Sequence, residues 1–214
     1  CDKLADDLYN LGLDVLTLHS DLEQKQRDET IILFSNKSYP ILIATDVASR
    51  GLHIDDVDLV INYDLSLDEK IHTHRIGRTA RAGKGGMAIS LYTHNDFDRV
   101  ELIKDTFRDI EDESIDKIED ELRTIFINGG KKQKLRAGDI LGALTAGIGL
   151  HKDEIGKIDI LDFASYVAIS KEKISFVLEK LSKEKIKGKY YRIYEKWQNK
   201  KGDINCLKIH YFLK

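Results

Sequence analysis

The sequence has few cysteines and no long apolar segment. Its two cysteines, Cys1 and Cys206, lie at opposite ends of the 214 residues and lack the spacing of metal ligands. This pattern predicts a chain that works in a reducing compartment, the cytoplasm, without disulfide bonds and without a metal site of its own. No apolar run is long enough to span a bilayer and no signal peptide is visible, so we expect no membrane partner. Because the chain begins at Cys1 instead of methionine, we expect a fragment of a longer protein.

The charge is unevenly distributed along the chain. Hydrophobic residues make up 42% of the sequence, enough for a folded core, and the formal net charge is only -3. Residues 1–125 nevertheless carry an excess of acidic side chains, and residues 126–214 an excess of lysine and arginine. This asymmetry predicts two modules with different partners. The basic half is the candidate surface for a polyanion, although an ordinary lysine-rich surface would have the same composition.

The first half alternates between helical and strand patterns. Short apolar runs bounded by polar residues predict strands, and apolar residues at helical spacing predict helices. The predicted strands are Val15–Leu18, Ile41–Ala44, Leu59–Tyr63 and Ala88–Tyr92, and the predicted helices are Leu4–Leu11 and Glu23–Phe34. This order is typical of a parallel sheet covered by helices, which binds ligands at the carboxyl ends of its strands.

The second half has a different pattern. Residues 105–124 are rich in acidic side chains but keep apolar residues at helical spacing, which predicts an acidic helical connector. Beyond it, strands are predicted at 125–128, 157–161, 165–169 and 190–194, with helices starting at Asp139 and spanning 171–181. The order βαββαβ over residues 125–195 describes a small RRM-like α/β sandwich. The tail 196–214 remains unassigned.

Two motifs in the first half carry chemistry. The run from His74 to Gly83 contains three arginines, Arg75, Arg78 and Arg81, spaced to lie on one side of a helical turn. Arginine binds phosphate through two hydrogen bonds and keeps its charge at any physiological pH. The run follows a second motif, Ala44–Leu52. The order and distance of the two resemble motifs V and VI of DEAD-box RNA helicases.

This resemblance implies an ATP-dependent RNA helicase with two RecA-like domains. Residues 1–104 are similar to most of the second domain, which is truncated at its N-terminal end because the strand of motif IV is missing. The first domain, with the P-loop, the DEAD motif and the ligands of Mg²⁺, is not in this sequence. ATP and Mg²⁺ are therefore the implied cofactors of the full-length enzyme, and we expect this chain alone to be inactive.

The resemblance also assigns roles to single residues. Arg78 and Arg81 would be catalytic arginine fingers that reach the γ-phosphate of ATP, and His74 would pair with the DEAD motif. Gly51 allows a close turn near the nucleotide, and His53 stands where the family has an aspartate that reaches the ribose. The segment His19–Arg27 resembles a family segment that lies along RNA. The RNA contacts that it implies are Gln24 and Arg27. The implied RNA contact of motif V is Thr45.

The second module is similar to the RNA-binding domain of DbpA-type helicases. The similarity lies in residues 126–142, 155–160, 165–167 and 185–189. It implies that the module binds a 23S rRNA hairpin and holds a monomeric helicase on the pre-50S ribosomal subunit. The candidate RNA-binding residues are Lys131, Lys132, Lys134, Arg136, Tyr166, Lys187, Lys189 and Arg192. Phe126 and Tyr166 lie near the positions of stacking aromatics in RRM sheets, but the residues alone fit a core role equally well.

Two other functions agree with the same sequence. One is a general DEAD-box RNA helicase whose basic tail binds RNA without specificity. The other is a stand-alone RNA-binding fragment without catalysis. Competition between RNAs separates the first from an rRNA-specific enzyme, and the sequence upstream of Cys1 separates the second.

Overall fold

The computed structural model describes residues 1–46, 57–66, 68–79, 86–96, 98, 100, 120–198 and 204–206. The predictions for Gly51, His53 and Arg81, and for most of the acidic connector, lie outside these ranges. The chain forms two compact units, residues 1–49 with 117–214, and residues 50–116. No helix in the described ranges is long and apolar enough to cross a membrane.

The first unit begins with two parallel strands and their helices. Helix α1 (Asp2–Asn10) precedes strand β1 (Val15–Leu18), and helix α2 (Gln24–Ser35) connects it to strand β2 (Ile41–Ala44). The two strands pair in parallel, from Val15 opposite Ile41 to Leu18 opposite Ala44. A capping box, in which the Glu23 amide donates to the Gln26 side chain at 2.9 Å, starts α2. Leu16, Leu33 and Tyr39 are buried together beneath it.

The same unit contains a five-stranded antiparallel sheet with the order β6-β7-β5-β8-β9. Its strands are β5 (Leu122–Ile127), β6 (Ile155–Ile160), β7 (Ser165–Ser170), β8 (Ile193–Gln198) and β9 (Ile204–Cys206). Helix α3 (Ala137–Gly142), continued by a π-helical turn at Ala143–Gly147, and helix α4 (Ile174–Leu181) pack on one face. The apolar core consists mainly of Ile, Leu and Val side chains, among them Ile125, Ile127, Ile140, Leu144, Val167, Ile169 and Leu181.

Two details of this module differ from the sequence prediction. Strand β8 begins at Ile193, not at Tyr190. One residue before it, the carbonyl of Arg192 accepts a hydrogen bond from the Asn128 amide at 2.9 Å. The tail adds the short strand β9, which pairs with β8 from Lys196 opposite Cys206 to Gln198 opposite Ile204. The predicted βαββαβ order holds, and β9 extends it by one edge strand.

Helix α2 covers the other face of the five-stranded sheet. The Asn36 side chain donates to Thr124 Oγ1 at 3.2 Å, and the hydroxyls of Ser38 and Thr124 share a hydrogen bond of 2.7 Å. Glu29 lies over the middle of the sheet, where its Oε1 accepts hydrogen bonds from Tyr166 and Lys196. The sheet therefore buries an apolar face on its own helices and a polar, hydrogen-bonded face on α2.

The second unit contains strand β3 (Leu59–Asn62), helix α5 (Glu69–Ile76) and strand β4 (Met87–Ser90). Along the chain, α5 lies between β3 and β4 and precedes β5. Strands β3 and β4 pair in parallel, as the alternation of strands and helices predicts. The Asp68 carboxylate caps α5 by accepting from the Lys70 amide at 2.8 Å.

Candidate nucleic-acid interface

The two lysine clusters of the second module meet in space. Lys187 donates from Nζ to the carbonyl oxygen of Lys134 at 2.6 Å and to the Asp139 carboxylate at 3.0 Å. The first cluster follows β5 and the second precedes β8, so 53 residues of chain separate the bonded pair Lys134 and Lys187. Their contact combines the two clusters into one basic surface.

Sheet register explains why the clusters meet. Ile127, at the end of β5, lies opposite Ser165 at the start of β7 and opposite Ile193 at the start of β8. The β6–β7 connection and the segments after β5 and before β8 therefore lie at the same end of the sheet. We call this end the loop end; it consists of residues 128–136, 161–164 and 185–192.

Close backbone packing holds the loop end together. The Lys131 amide donates to the carbonyl of Leu161, and the Lys132 amide to that of Asp162, both at 2.9 Å. A Cβ atom on Gly130 would collide with the backbone of residues 161–164, and one on Gly129 would collide with the Tyr191 ring. Glycine is therefore required at both positions, because any side chain there would prevent the backbone from packing this closely against residues 161–164 and Tyr191.

A tight turn presents the second lysine cluster. Ile186 and Lys189 pair as an isolated antiparallel bridge, with Lys187 and Gly188 between them. Lys187 has φ 52° and Gly188 has φ 77°, the positive values that a two-residue hairpin turn requires at both central positions. The Nζ of Lys185 lies 5.4 Å from the centre of the Tyr190 ring, a cation–π distance.

The loop end is basic and exposed. Its predicted RNA-binding residues with exposed side chains are Lys131, Lys132, Lys134, Arg136, Lys187, Lys189 and Arg192. Two carboxylates reduce the positive charge: Asp162, exposed within the loop end, and Asp139 beside it. The hydrogen bond from Lys187, and then that from the Arg136 amide, lower the pKa of Asp139, so this side chain stays ionised and neutralises part of the surface.

Tyr166 does not lie on an open surface, contrary to its predicted stacking role. It is 2% exposed, and its hydroxyl donates to Glu29 Oε1 at 2.7 Å. Phe126 stacks on Tyr194 with ring centres 4.6 Å apart and meets Tyr166 edge-on at 5.4 Å. The structure therefore corrects the prediction for Tyr166: this residue is buried, joins the RRM-like sheet to Glu29 of α2 and presents no face to a base.

The predicted RNA contacts of the first module lie at one edge. Strands β1 and β2 are parallel, so their carboxyl ends lie side by side, and the Thr45 amide donates to the carbonyl of Leu18 at 3.1 Å. Thr45 is exposed just beyond β2, and Gln24 and Arg27 lie in the first turn of α2. Gln24 donates to Asp28 at 2.7 Å. Hydroxyl, amide and guanidinium groups are donors suited to RNA phosphates.

The arginine-rich motif is arranged differently from the prediction. Helix α5 ends at Ile76 with Gly77 as its C-cap, so Arg75 lies in the helix and Arg78 in the turn after it. They therefore do not form one helical face. Arg75 donates to Asn62 Oδ1 at 3.3 Å and to the carbonyl of Asp64 at 2.7 Å, which fastens α5 beyond β3.

The turn that holds Arg78 lies at the amino end of β3. The carbonyl of Arg78 accepts from the Val57 amide, and the Thr79 hydroxyl donates to the carbonyl of Asp58, both at 3.3 Å. The expectation of a site at the carboxyl ends of the strands does not describe this turn. His74 is exposed in the last turn of α5, and Arg81 lies beyond the described part of the motif.

The α2 interface contains buried charges that the sequence does not predict. Glu29 and Lys196 form an ion pair of 3.0 Å with side chains that are both 6% exposed. A glutamate and a lysine among many others give no signal of burial, because only the folded arrangement brings them together. In the described ranges, no group of three or more His, Cys, Asp or Glu side chains could hold a metal ion.

Comparison with known proteins gives two domain matches and several relatives. Residues 1–83 match the helicase conserved C-terminal domain, and residues 124–195 match the DbpA RNA-binding domain. The chain is 43% identical over 200 residues to the ATP-dependent RNA helicase DbpA of Escherichia coli (strain K12), covering 90% of this chain and 44% of that protein. It is 34% identical over 221 residues to DbpA of Bacillus subtilis (strain 168), covering 90% of this chain and 46% of that protein.

Among solved structures, one match is the Escherichia coli DEAD-box protein SrmB, at 37% identity and a TM-score of 0.46, covering 50% of this chain and 62% of that chain. The chain carries a helicase conserved C-terminal domain and a DbpA RNA-binding domain. Over 90% of its length it is similar to the C-terminal parts of DbpA-type DEAD-box RNA helicases. It spans about half the length of the curated relatives it matches.

Proposed function

We propose that this chain is the C-terminal part of an ATP-dependent RNA helicase that binds a structured hairpin of 23S rRNA and remodels rRNA during assembly of the large ribosomal subunit. The contact between Lys187 and Lys134 carries this proposal, because it combines the two basic clusters into one surface. We propose a cytoplasmic, monomeric enzyme whose partners are the rRNA and the pre-50S particle.

RNA is the polyanion that fits the loop end best. Exposed lysines and arginines neutralise phosphates and release their counterions, which supplies affinity without reading sequence. The similarity of residues 126–142 and 185–189 to DbpA-type helicases supports a hairpin as the target. A loop of unpaired bases can be recognised directly, whereas the grooves of an A-form duplex offer little sequence information.

The helicase part would act on ATP held by the missing first domain. Phosphoryl transfer spreads negative charge over the oxygens of the transferred group, and a positioned guanidinium stabilises that charge. The turn after α5 holds the backbone of Arg78 to Val57, so the arginine emerges from a fixed point. We propose that Arg78 and Arg81 supply this charge, while His74 contacts the DEAD motif. Mg²⁺ would be held by the first domain.

The second part of the proposal assigns RNA contacts to α2. Gln24 and Arg27 lie near its beginning, and Glu29, Asn36 and the sheet of the RNA-binding module lie further along it. One helix thus connects the proposed RNA path on the helicase domain to the anchoring module. We propose that the anchor holds its hairpin in a defined orientation relative to that path.

A competition experiment tests the rRNA assignment. A labelled 23S rRNA hairpin bound to the whole chain is displaced by unlabelled hairpin or by an unrelated duplex of equal length at moderate salt. Displacement by the hairpin at much lower concentration supports the specific anchor. Equal displacement by both RNAs contradicts it and favours a general helicase with a nonspecific basic tail.

A further inference from the structure

An exposed aromatic side chain lies at the tip of the β6–β7 hairpin, within the loop end. Phe163 is 63% exposed, and with Asp162 it forms the tip, which the Leu161 amide closes by donating to the carbonyl of Ala164 at 2.8 Å. Two-residue hairpin turns favour glycine, asparagine and aspartate, so the turn conformation does not explain why a phenylalanine stands here. A single exposed apolar residue is common on protein surfaces, so exposure alone assigns no role.

Phe163 lies next to the first basic cluster. Lys131 and Lys132 both have exposed side chains, and their amides bond to the carbonyls of Leu161 and Asp162, directly before Phe163. These bonds fix the tip against the first basic cluster. Phe163 and the two exposed lysines therefore belong to the same small part of the surface. Proteins bind single-stranded nucleic acid by combining an aromatic ring that stacks on a base with basic side chains that bind the backbone phosphates.

We propose that Phe163 is a stacking site for an unpaired base of the bound RNA, with Lys131 and Lys132 on the flanking phosphates. The site lies outside the sheet face, so it replaces the stacking function that Tyr166 cannot perform because it is buried and bonded to Glu29 of α2. It accepts bases from loops or single strands, since the faces of paired bases are covered by their neighbours in the stack. This inference rests on the proposed RNA-binding function of the loop end.

The backbone bonds to the tip also favour this role energetically. Because the backbone of the turn is already fixed, only the side chain of Phe163 loses conformational freedom when a base stacks on it. Stacking adds no charge, so it contributes affinity that salt does not screen, whereas the contribution of the lysines falls with salt. The contributions of stacking and of the lysines to affinity can therefore be separated by measuring binding at several salt concentrations.

The experiment uses the whole chain and two labelled RNAs, a stem closed by an unpaired loop and the same stem as a blunt duplex. The variants are Phe163→Ala, Phe163→Leu and Phe163→Trp, with Phe176→Ala as the matched control. Phe176 is a 40% exposed phenylalanine on α4, outside the loop end. A fourth variant, Lys131→Ala with Lys132→Ala, tests the basic surface itself.

Phe163→Ala is expected to weaken binding of the looped RNA by about 5- to 100-fold, the range for loss of one stacked base, without changing the salt slope. Phe163→Leu should be equally weak, Phe163→Trp should restore affinity, and the blunt duplex and Phe176→Ala should show no change. Unchanged affinity in Phe163→Ala, combined with weaker binding in the lysine variant, would overturn the stacking site and leave the RNA anchor standing. Rescue by leucine, or equal loss for the duplex, also overturns it. Unchanged affinity in the lysine variant would instead contradict the proposed function.

Discussion

The hydroxyl of Tyr166 donates a 2.7 Å hydrogen bond to Oε1 of Glu29, which lies 137 residues earlier in the chain. The same oxygen accepts from Nζ of Lys196 at 3.0 Å, and Lys196 in turn lies 5.3 Å from the centre of the Phe126 ring. This network joins α2 of the helicase domain to the sheet of the RNA-binding module. It occupies the sheet face, and it leaves the loop end as the exposed basic surface of that module.

The first prediction concerns this buried network. Glu29→Ala should lower the free energy of unfolding by about 3–5 kcal/mol, because it leaves the Lys196 ammonium buried without its partner. The double variant Glu29→Leu with Lys196→Met should be more stable than Glu29→Ala, since it removes both charges. Urea unfolding of the two proteins measures the difference. A Glu29→Ala chain as stable as the wild type would show that the network contributes nothing to the fold.

The second prediction concerns the carboxylate beside the basic surface. Asp139→Asn should strengthen RNA binding and steepen the salt dependence by about one unit of slope, because Lys187 becomes available for a phosphate. Asparagine can still accept the hydrogen bond that the Arg136 amide donates to this side chain at 2.9 Å. The control is Asp153→Asn, an exposed aspartate in the turn before β6. Equal effects of the two changes would mean that only net charge matters.

The third prediction concerns pH. Burial, and secondarily the charge of Arg75, lowers the pKa of His72 below its usual value of 6.5. Between this lowered pKa and 6.5 the unfolded chain binds a proton that the folded chain does not, so stability should fall as pH falls through that window and stay constant above it. Thermal unfolding at several pH values should show a weaker dependence in His72→Gln. The exposed His151→Gln should retain the full dependence, and identical curves for wild type and His72→Gln would refute the assignment.

The fourth prediction concerns catalysis in a protein with the first domain restored. Arg81→Ala should reduce RNA-stimulated ATP turnover on the order of 10³-fold or more, because related phosphoryl-transfer enzymes lose this much without their arginine finger. Hairpin binding should change little, since the anchor lies in a separate module. Lys70→Ala, an exposed cation in the first turn of α5, is the control. Loss of hairpin binding with normal turnover would reverse the proposed division of labour.

Strands and helices of this fold can be predicted from the sequence where a short stretch of residues carries the pattern by itself. Val15–Leu18 and Ile41–Ala44 are short apolar runs closed by polar residues, and the structure forms strands at those bounds. The end of α5 was missed because the three-residue spacing of the arginines continues past Gly77, whereas the helix stops there. Strand β9 was missed because its partner β8 stabilises it, and its own three residues have too little pattern to indicate a strand.

Some features of the candidate site can likewise be predicted from the sequence, and others depend on the folded structure. The two lysine clusters are visible as charge in the sequence, which agrees with a polyanion-binding surface and equally with an ordinary lysine-rich surface. The contact of Lys187 with Lys134 needed the sheet register, which places the ends of β5, β7 and β8 together. For Tyr166 the sequence leaves a stacking role and a core role open, because its burial depends on a glutamate from another module. The roles of Arg78, Arg81 and His74 remain predictions.

The salt dependence of RNA binding tests the central claim most directly. The whole chain is titrated with a labelled rRNA hairpin across several salt concentrations, in parallel with a variant in which Lys131, Lys132 and Lys134 are alanine. If about four basic side chains of the loop end contact phosphates, log affinity should fall with log salt at a slope of roughly -3 to -4, and the variant should lose both affinity and slope. A flat salt response in the wild type, or a variant indistinguishable from it, would contradict the account.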